Sequence, residues 1–184
     1  MTELASPGQL RAGLLRWALF LVPGVMLLGF LVSAFASSGP GNPWFDSLVK
    51  PAIYPPPQLF GLVWSALYAM MGLAMAIVMA ARGAWGRRSA AIAFTVQLLL
   101  NLAWSPLFFG AHQMTWALVL LGVLIVAVIV TIYLFWRVRP LAAWLMAPYL
   151  AWILFASLLN YEFLAANPDA DGREGAPPTQ RFEL

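Results

Sequence analysis

Aromatic and amide side chains recur at helical spacing in the central part of this sequence. Trp64 and Tyr68 are four residues apart, and Gln97, Asn101 and Trp104 occupy positions i, i+4 and i+7 of a later segment. Residues at these spacings share one face of a helix. A third segment shows the same pattern with Trp152, Ala156 and Asn160. Flat rings and a few uncharged amides that converge on one pocket suit a large, planar, mostly apolar ligand better than a sugar or an ion.

The same residues also permit a purely structural interpretation. Asn101 and Asn160 would then tie helices together, because uncharged amides inside a membrane need partners. The other tryptophans near predicted helix ends fit an interfacial belt, in which an indole ring lies at the membrane surface. These belt candidates are Trp17, Trp85, Trp116, Trp136 and Trp144.

Other kinds of chemistry have little support in the sequence. Cysteine is absent, and His112 is the single histidine, so neither a thiolate nor a histidine cluster is available for a metal site. Glu162 is the one acid in or beside an apolar run, which leaves no carboxylate pair for acid–base catalysis. We therefore expect no metal site and no intrinsic cofactor.

Composition and charge spacing indicate an integral membrane protein. The 184 residues are 62% hydrophobic and only 9% charged, unlike a soluble domain. Four uncharged gaps, which are 29, 31, 48 and 22 residues long, separate the central charges. A helix needs about 20 apolar residues to cross the hydrocarbon layer, and the 48-residue gap is long enough for two. No predicted helix carries a charge near its middle, which argues against ion-coupled pumping.

The predicted fold is therefore all-α, an integral membrane bundle of five transmembrane helices. The first apolar run resembles a secretory signal at its end but is longer than a signal peptide core, which favours a spanning helix. Glycine and proline near Pro106–His112 divide the long gap into two helices. Gly61, Ser65 and Ala69 form a row of small residues that would allow another helix to approach closely, either within the chain or in a dimer. The predicted spans are 14–35, 59–81, 89–109, 113–136 and 141–165.

The segments outside the spans have their own signatures. Residues 36–58 form a predicted lid loop, with a short helix capped by Asn42 and a proline-rich stretch, Lys50–Pro57, that cannot be helical. Residues 166–184 are polar and rich in proline and glycine, which predicts a disordered tail. Residues 1–13 form a predicted cytoplasmic N-terminus.

The distribution of arginine predicts the orientation. Seven arginines lie on the side of the N-terminus, whereas the other side has Lys50, Arg173 and Arg181. By the positive-inside rule the N-terminus is cytoplasmic and the lid loop faces outward. The net charge of +3 therefore reflects topology and does not indicate nucleic-acid binding.

Several motifs together resemble one known family. They are Trp44-Phe45-Asp46 with Lys50-Pro51 and Tyr54-Pro55-Pro56, Val63-Trp64 with Leu67-Tyr68, Gln97-Leu98 with Asn101-Leu102-Ala103-Trp104-Ser105-Pro106, and Pro148-Tyr149-Leu150-Ala151-Trp152 with Asn160-Tyr161. In their order and loop lengths they resemble the translocator protein, or tryptophan-rich sensory protein, family, also called peripheral-type benzodiazepine receptors. The resemblance extends from about Trp44 to Tyr161.

The resemblance implies a five-helix membrane protein that often forms homodimers. It also implies a cavity under the first loop that binds protoporphyrin IX, haem-related tetrapyrroles and benzodiazepine-type ligands. The family's sterol pattern is incomplete here, because no basic residue follows Tyr161 before Arg173, so strong sterol binding is not expected. The positions expected to line or cover the site, from the family pattern and the helix faces together, are Trp44, Phe45, Tyr54, Trp64, Tyr68, Asn101, Trp104, Trp152, Ala156 and Asn160.

Three functions remain open at this point. The first is a tetrapyrrole-binding sensor, scavenger or transporter, with Trp64 and Trp152 flanking the macrocycle and Asn101 providing a polar contact. The second is an enzyme for light-dependent porphyrin breakdown, a role in which the resemblance implicates Trp64 and Trp152. The third is a structural protein that assembles partners. The charge bias favours a bacterial cytoplasmic membrane, although some relatives occur in outer membranes.

Overall fold

A computed structural model of the protein describes residues 7–173. Over that range the regular elements are all helical, and five helices are long and apolar enough to cross a membrane. The predicted all-α bundle of five spanning helices is confirmed. The elements are α1 (Pro7–Phe35), a short α2 (Pro43–Ser47), α3 (Pro57–Ala80), α4 (Arg87–Ser105), α5 (Met114–Val138) and α6 (Pro140–Ala166).

Four of the five long helices begin earlier than the sequence predicted, and three of these begin at a proline; the fourth, α4, begins at Arg87 rather than residue 89. α1 starts at Pro7 rather than residue 14, α3 at Pro57 rather than 59, and α6 at Pro140 rather than 141. Proline is suited to the first helical turn because its φ angle is already helical and its missing N–H would have no partner there. The apolar pattern alone therefore underestimated the helix lengths.

The predicted third span consists of two kinds of helix. The α-helical part ends at Ser105, and Pro106–Gly110 form one π-helical turn, in which the Ala111 N–H donates to the Pro106 carbonyl at 2.8 Å. Pro106 has no N–H, and its ring crowds the carbonyl of the preceding turn, so the helix widens at this point. The turn places Phe108 and Phe109 in buried positions.

The bundle has α3 between α1 and α6, and α5 between α4 and α6. Its core consists of apolar side chains from all five long helices, and it includes a stacked pair, Phe94 of α4 and Phe135 of α5, whose centroids are 5.9 Å apart. Many large apolar side chains of α1 and α5 remain exposed on the outside of the bundle, as expected where lipid replaces water.

The loops lie on two opposite ends of the bundle. One end, here called the lid face, holds α2, the loop between α4 and α5, and the segment after α6. The other end, here called the arginine face, holds the beginning of α1 and the loops that join α3 to α4 and α5 to α6. Because successive spanning helices run in opposite directions and their number is odd, the beginning of α1 and the end of α6 lie at opposite ends of the bundle.

The segment after α6 corrects the prediction of a disordered tail. Residue 166 is the last residue of α6, and Pro168–Ala170 form a 3₁₀ turn. The Gly172 N–H donates to the His112 carbonyl at 2.8 Å, and the Asp171 carboxylate accepts hydrogen bonds from the backbone and hydroxyl of Thr115. Polar composition predicted disorder, but these groups find partners in neighbouring loops. The remainder of the predicted tail, 174–184, and residues 1–6 lie outside the described residues.

The backbones of α1 and α3 approach each other closely at Gly72. A methyl group added there would lie 2.6 Å from the Val22 Cα and 2.8 Å from the Leu21 carbonyl oxygen. Small residues let membrane helices approach this closely, and van der Waals contact then replaces the hydrophobic driving force that lipid does not provide. Within the part of the chain that the structure describes, no other helix approaches Gly61 of the small-residue row, because nothing lies within 4 Å of a methyl group added there.

We expect Gly72→Ala to separate α1 from α3 and to lower stability by about 1–3 kcal/mol, because backbone rather than a flexible side chain blocks the new methyl group. Gly122→Ala in α5 is the matched control, since its methyl group would meet no atom within 4 Å. Thermal unfolding in detergent measures both variants. Equal melting temperatures for the two variants would contradict this account of the α1–α3 contact.

Candidate functional site

A cavity of about 350 Å³ lies in the half of the bundle nearest the lid face. All five long helices line it, and so do residues of the lid, which we define as residues 36–56 with α2 inside it. No charged side chain is among its lining residues. The sequence-predicted residues that line it are Phe45, Tyr54, Trp64, Tyr68, Asn101, Trp104, Trp152, Ala156 and Asn160.

Trp64 of α3 and Trp152 of α6 form one corner of the cavity. Their ring centroids are 6.5 Å apart and their planes meet at 85°, so the edge of one ring faces the plane of the other. Edge-to-face contact is a favourable geometry for aromatic pairs. The two rings therefore do not form the parallel walls that would flank a flat ligand on both sides. A ligand can stack on one ring while its edge contacts the other.

Aromatic contacts continue from this corner to the lid. Phe60 lies 5.8 Å from Trp152, and Tyr54 of the lid stacks on Phe60 at 5.6 Å. Phe45 of α2 lies 5.9 Å from Tyr54. Because each ring contacts the next, the position of the lid depends on the same side chains that line the cavity.

Two hydrogen bonds between side chains connect the helices around the cavity. The Tyr68 hydroxyl of α3 donates to the Asn101 Oδ1 of α4 at 3.1 Å. The Trp104 indole of α4 donates to the Asn160 Oδ1 of α6 at 3.4 Å, and the Asn160 amide donates to the Met114 carbonyl at 2.9 Å. These residues therefore tie helices together and also line the cavity, so the two interpretations of their spacing are compatible.

Asn42 fixes the lid to the bundle. Its side-chain oxygen caps α2 by accepting from the Phe45 N–H at 3.0 Å, as the sequence predicted, and its amide nitrogen donates to the Phe109 carbonyl at 3.2 Å. Phe109 belongs to the π-helical turn that follows α4. The buried Asn42 side chain therefore provides hydrogen-bond partners both for the first turn of α2 and for a carbonyl of the π-helical turn. The Asp46 carboxylate accepts from the Gly41 N–H at 2.9 Å and closes the turn before α2.

Lys50 closes the other end of α2. Its ammonium group donates to the carbonyls of Phe45 and Leu48 and lies 4.3 Å from the centroid of the Phe45 ring. Partial burial lowers the pKa of Lys50, while the charge of Asp46 acts in the opposite direction. Partial burial raises the pKa of Tyr54, and Asp46 adds to that shift. Tyr54 therefore presents a neutral phenol to the cavity at physiological pH.

Trp44 is the one predicted site residue that does not line the cavity. It is buried in the lid, where its ring stacks on His112 at 4.6 Å and its indole N–H donates to the Ala170 carbonyl at 3.3 Å. Beside it, the Asn167 side chain bonds both backbone groups of Val49 at 2.8 and 3.0 Å. Trp44 therefore belongs to the anchor of the lid, which joins three chain segments that are distant in sequence.

Sequence reasoning missed some of the lining residues. Phe60 lies one helical turn before Trp64, so the spacing that selected Trp64 and Tyr68 also contained Phe60. On α1, Gly29 faces the Tyr68 ring so closely that an added methyl group would collide with it. Gly29 and Ser33, which both line the cavity, are also four residues apart. Such pairs of small residues are so common in apolar helices that the spacing alone does not indicate a binding site. The other missed residues include Phe30, Phe108, Phe109, Leu121, Leu124 and Phe163.

The lining offers stacking, apolar contact and neutral hydrogen bonds. In the described range, no three His, Asp or Glu side chains are grouped closely enough to hold a metal ion. A profile of the TspO/MBR family matches residues 20–165, which is most of the chain and includes the whole cavity.

The chain belongs to the TspO/MBR family. The human Translocator protein is 41% identical to it over 136 residues, which cover 73% of this chain and 80% of the human one. The Tryptophan-rich protein TspO of Chlorobaculum tepidum is 38% identical over 146 residues, or 78% of this chain and 90% of that protein. Protein CrtK of Rhodobacter capsulatus is 37% identical over 134 residues, which cover 68% and 79%.

These matches confirm the resemblance found in the motifs and identify an integral membrane protein of a family of translocators and sensors. The family match begins within α1 and ends one residue before the end of α6. Ala170, which accepts the hydrogen bond of the Trp44 indole, lies beyond the matched range.

We expect Asn42→Ala to loosen the lid, because it removes both the cap of α2 and the bond to Phe109. The local opening free energy of residues 43–48 should fall by about 2 kcal/mol. Hydrogen–deuterium exchange of a peptide that covers α2 measures this loss. Asn42→Ser keeps a capping oxygen but removes the amide donor, so its exchange should be intermediate. If the alanine variant exchanged as slowly as the wild type, Asn42 would not be what fixes the lid.

Proposed function

We propose that this protein binds tetrapyrroles such as protoporphyrin IX in the cavity under the lid. The observation that carries this proposal is the corner formed by Trp64 and Trp152, which presents the face of one indole and the edge of another to the same space. A flat macrocycle gains stacking from the first and an edge contact from the second. The family pattern supports the same assignment.

The size and polarity of the cavity support the proposal. Its volume of about 350 Å³ lies within the range of small-molecule sites, which is roughly 300–1,000 Å³. Its uncharged aromatic lining suits the apolar macrocycle of a tetrapyrrole, whereas the propionate carboxylates of protoporphyrin IX would have to stay in contact with water, because burial of an unpaired charge is costly. Asn101 and Tyr68 provide a neutral polar contact at one position on this wall. Benzodiazepine-type ligands have the same general chemistry and would compete for this site.

The role that follows from binding is that of a sensor, scavenger or transporter. We place the protein in a bacterial cytoplasmic membrane as a multi-pass protein, with its N-terminus inside and the lid outside, because the arginine face has the larger positive charge. We further propose a homodimer, as the family resemblance implies. An apolar ligand would then reach the cavity either through the lid or from the bilayer.

We expect Trp152→Ala to weaken the binding of protoporphyrin IX by about tenfold or more, because the ligand loses an aromatic contact in a water-poor site. Titration of the detergent-solubilised protein in the dark, followed by porphyrin absorption, measures the Kd. Trp144→Ala is the matched control, since Trp144 lies on the same helix, is 65% exposed and does not line the cavity.

Two outcomes of these titrations would contradict the proposal. Equal Kd values for wild type and Trp152→Ala would place the site elsewhere. Failure of the wild-type protein to bind any tetrapyrrole would leave the aromatic residues as helix packing and favour a structural protein that assembles partners.

The same corner favours a second candidate function, light-dependent breakdown of bound porphyrin. The illuminated porphyrin would accept one electron from an adjacent indole, and dioxygen would add to the reduced ring. Return of the electron to the indole radical would then leave a ring-opened product that carries both oxygen atoms. Because Trp64 and Trp152 are in contact, either ring lies close to a ligand bound at the other.

If this enzyme activity exists, illumination will bleach the porphyrin band faster with protein than without it. Trp64→Phe should slow that loss several-fold while it changes the Kd by less than about threefold, because a phenyl ring stacks but is harder to oxidise than indole. Absorption spectra recorded over time, with a dark sample and a sample without protein as controls, measure the rate. Bleaching at the rate of free porphyrin would contradict the enzymatic role and leave a carrier or sensor.

A further inference from the structure

A cluster of arginines and aromatic rings occupies one corner of the arginine face, far from the cavity. The Arg137 guanidinium lies 5.6 Å from the ring centroid of Trp85 and 5.9 Å from that of Tyr133, and it donates to the Tyr133 hydroxyl at 3.0 Å. This contact brings the end of α5 against the loop that precedes α4. Arg87 and Arg88 begin α4 two and three residues after Trp85. We call Trp85, Arg87, Arg88, Tyr133 and Arg137 the arginine corner.

No acidic side chain described by the structure lies on the same face as these arginines. The described acids belong to the lid, the end of α6 and the segment after it, all at the opposite end of the bundle: Asp46, Glu162, Asp169 and Asp171. Part of the hydrogen-bonding capacity of Arg87 is used by the Met79 carbonyl. A guanidinium has five N–H donors, so most of the donors in the corner are available to an external acceptor.

The exposed aromatic rings indicate that the arginine corner lies at the level of the lipid headgroups. Trp85 is 82% exposed, and the nearby Trp136 and Trp144, whose centroids are 6.0 Å apart, are also exposed. Exposed indole and phenol rings at the ends of spanning helices lie at the level of the lipid headgroups. The rings of Trp85 and Tyr133 hold Arg137 in place, so its charge is positioned in the headgroup layer rather than in bulk water.

We propose that the arginine corner binds the phosphate group of an anionic phospholipid, such as a phosphatidylglycerol, from the surrounding bilayer. Arginine suits this role because its planar fork donates two parallel hydrogen bonds to phosphate oxygens. The exposed rings beside the charges can contact the acyl chains of a lipid, whereas free inorganic phosphate has no apolar part. The rings therefore favour a lipid over inorganic phosphate. This inference rests on the charges and rings of the arginine face and does not depend on the proposed ligand of the cavity.

The test measures lipid binding to the full-length protein in detergent by native mass spectrometry. The probes are a phosphatidylglycerol and a phosphatidylcholine with the same acyl chains. An arginine beside the phosphate of an anionic lipid contributes about a fivefold preference, so Arg88→Gln and Arg137→Gln together should weaken phosphatidylglycerol binding roughly 25-fold. Binding of phosphatidylcholine should change by less than about twofold.

The matched control is Arg16→Gln, which removes one charge from the same membrane face but lies on α1, outside the corner. It should leave phosphatidylglycerol binding within about twofold of the wild type. Arg137→Lys keeps the charge but loses the planar fork, so it should weaken binding by a smaller factor than Arg137→Gln. Melting temperatures of all variants, measured in lipid-free detergent, identify any that fail to fold.

Two results would overturn the proposal. If Arg16→Gln weakened phosphatidylglycerol binding as much as Arg137→Gln, the attraction would be a general effect of positive charge. If millimolar inorganic phosphate raised the melting temperature as much as phosphatidylglycerol does, the corner would be an anion site rather than a lipid site.

Discussion

Two hydrogen bonds inside the bundle, Tyr68 to Asn101 and Trp104 to Asn160, determine how the helices surround the cavity. In lipid, apolar side chains gain little from contact with one another compared with contact with acyl chains, so helix positions depend on packing and on polar contacts. Each of these bonds joins two different helices, and α4 takes part in both. The cavity wall is therefore formed by the same side chains that tie the helices together.

The lid follows from the same requirement that polar groups inside or near the membrane find partners. A short helix such as α2 has few internal hydrogen bonds, so its ends need external groups, which Asn42 and Lys50 provide. The loop beyond α2 is bonded in turn to Asn167, which lies just after α6. Because of these contacts the cover of the cavity is connected to the ends of α4 and α6, the helices that carry Asn101 and Trp152.

The sequence predicted the five spans and most of the cavity lining because both depend on local patterns. Uncharged runs of sufficient length define spans, and spacing of three or four residues places Trp64, Asn101 and Trp152 on inward faces. Trp44 and the segment after α6 depend instead on contacts between distant residues. The bond from the Trp44 indole to the Ala170 carbonyl joins positions 126 residues apart, and no local pattern indicates it. The close contact at Gly72 was missed for the same reason, since only the neighbouring helix shows which small residue is in contact.

The two ends of the molecule rely on different kinds of interaction. The lid face is held mainly by neutral hydrogen bonds and aromatic contacts, which are short-ranged and insensitive to salt. The arginine face holds exposed cations, whose interactions with other charges weaken beyond about 8 Å at physiological ionic strength. Changes in salt or lipid charge therefore act directly on the arginine face and reach the cavity only through the long helices. Because the cavity lining is uncharged and lies in the half of the bundle nearest the lid face, the cavity and the arginine face respond to different physical conditions.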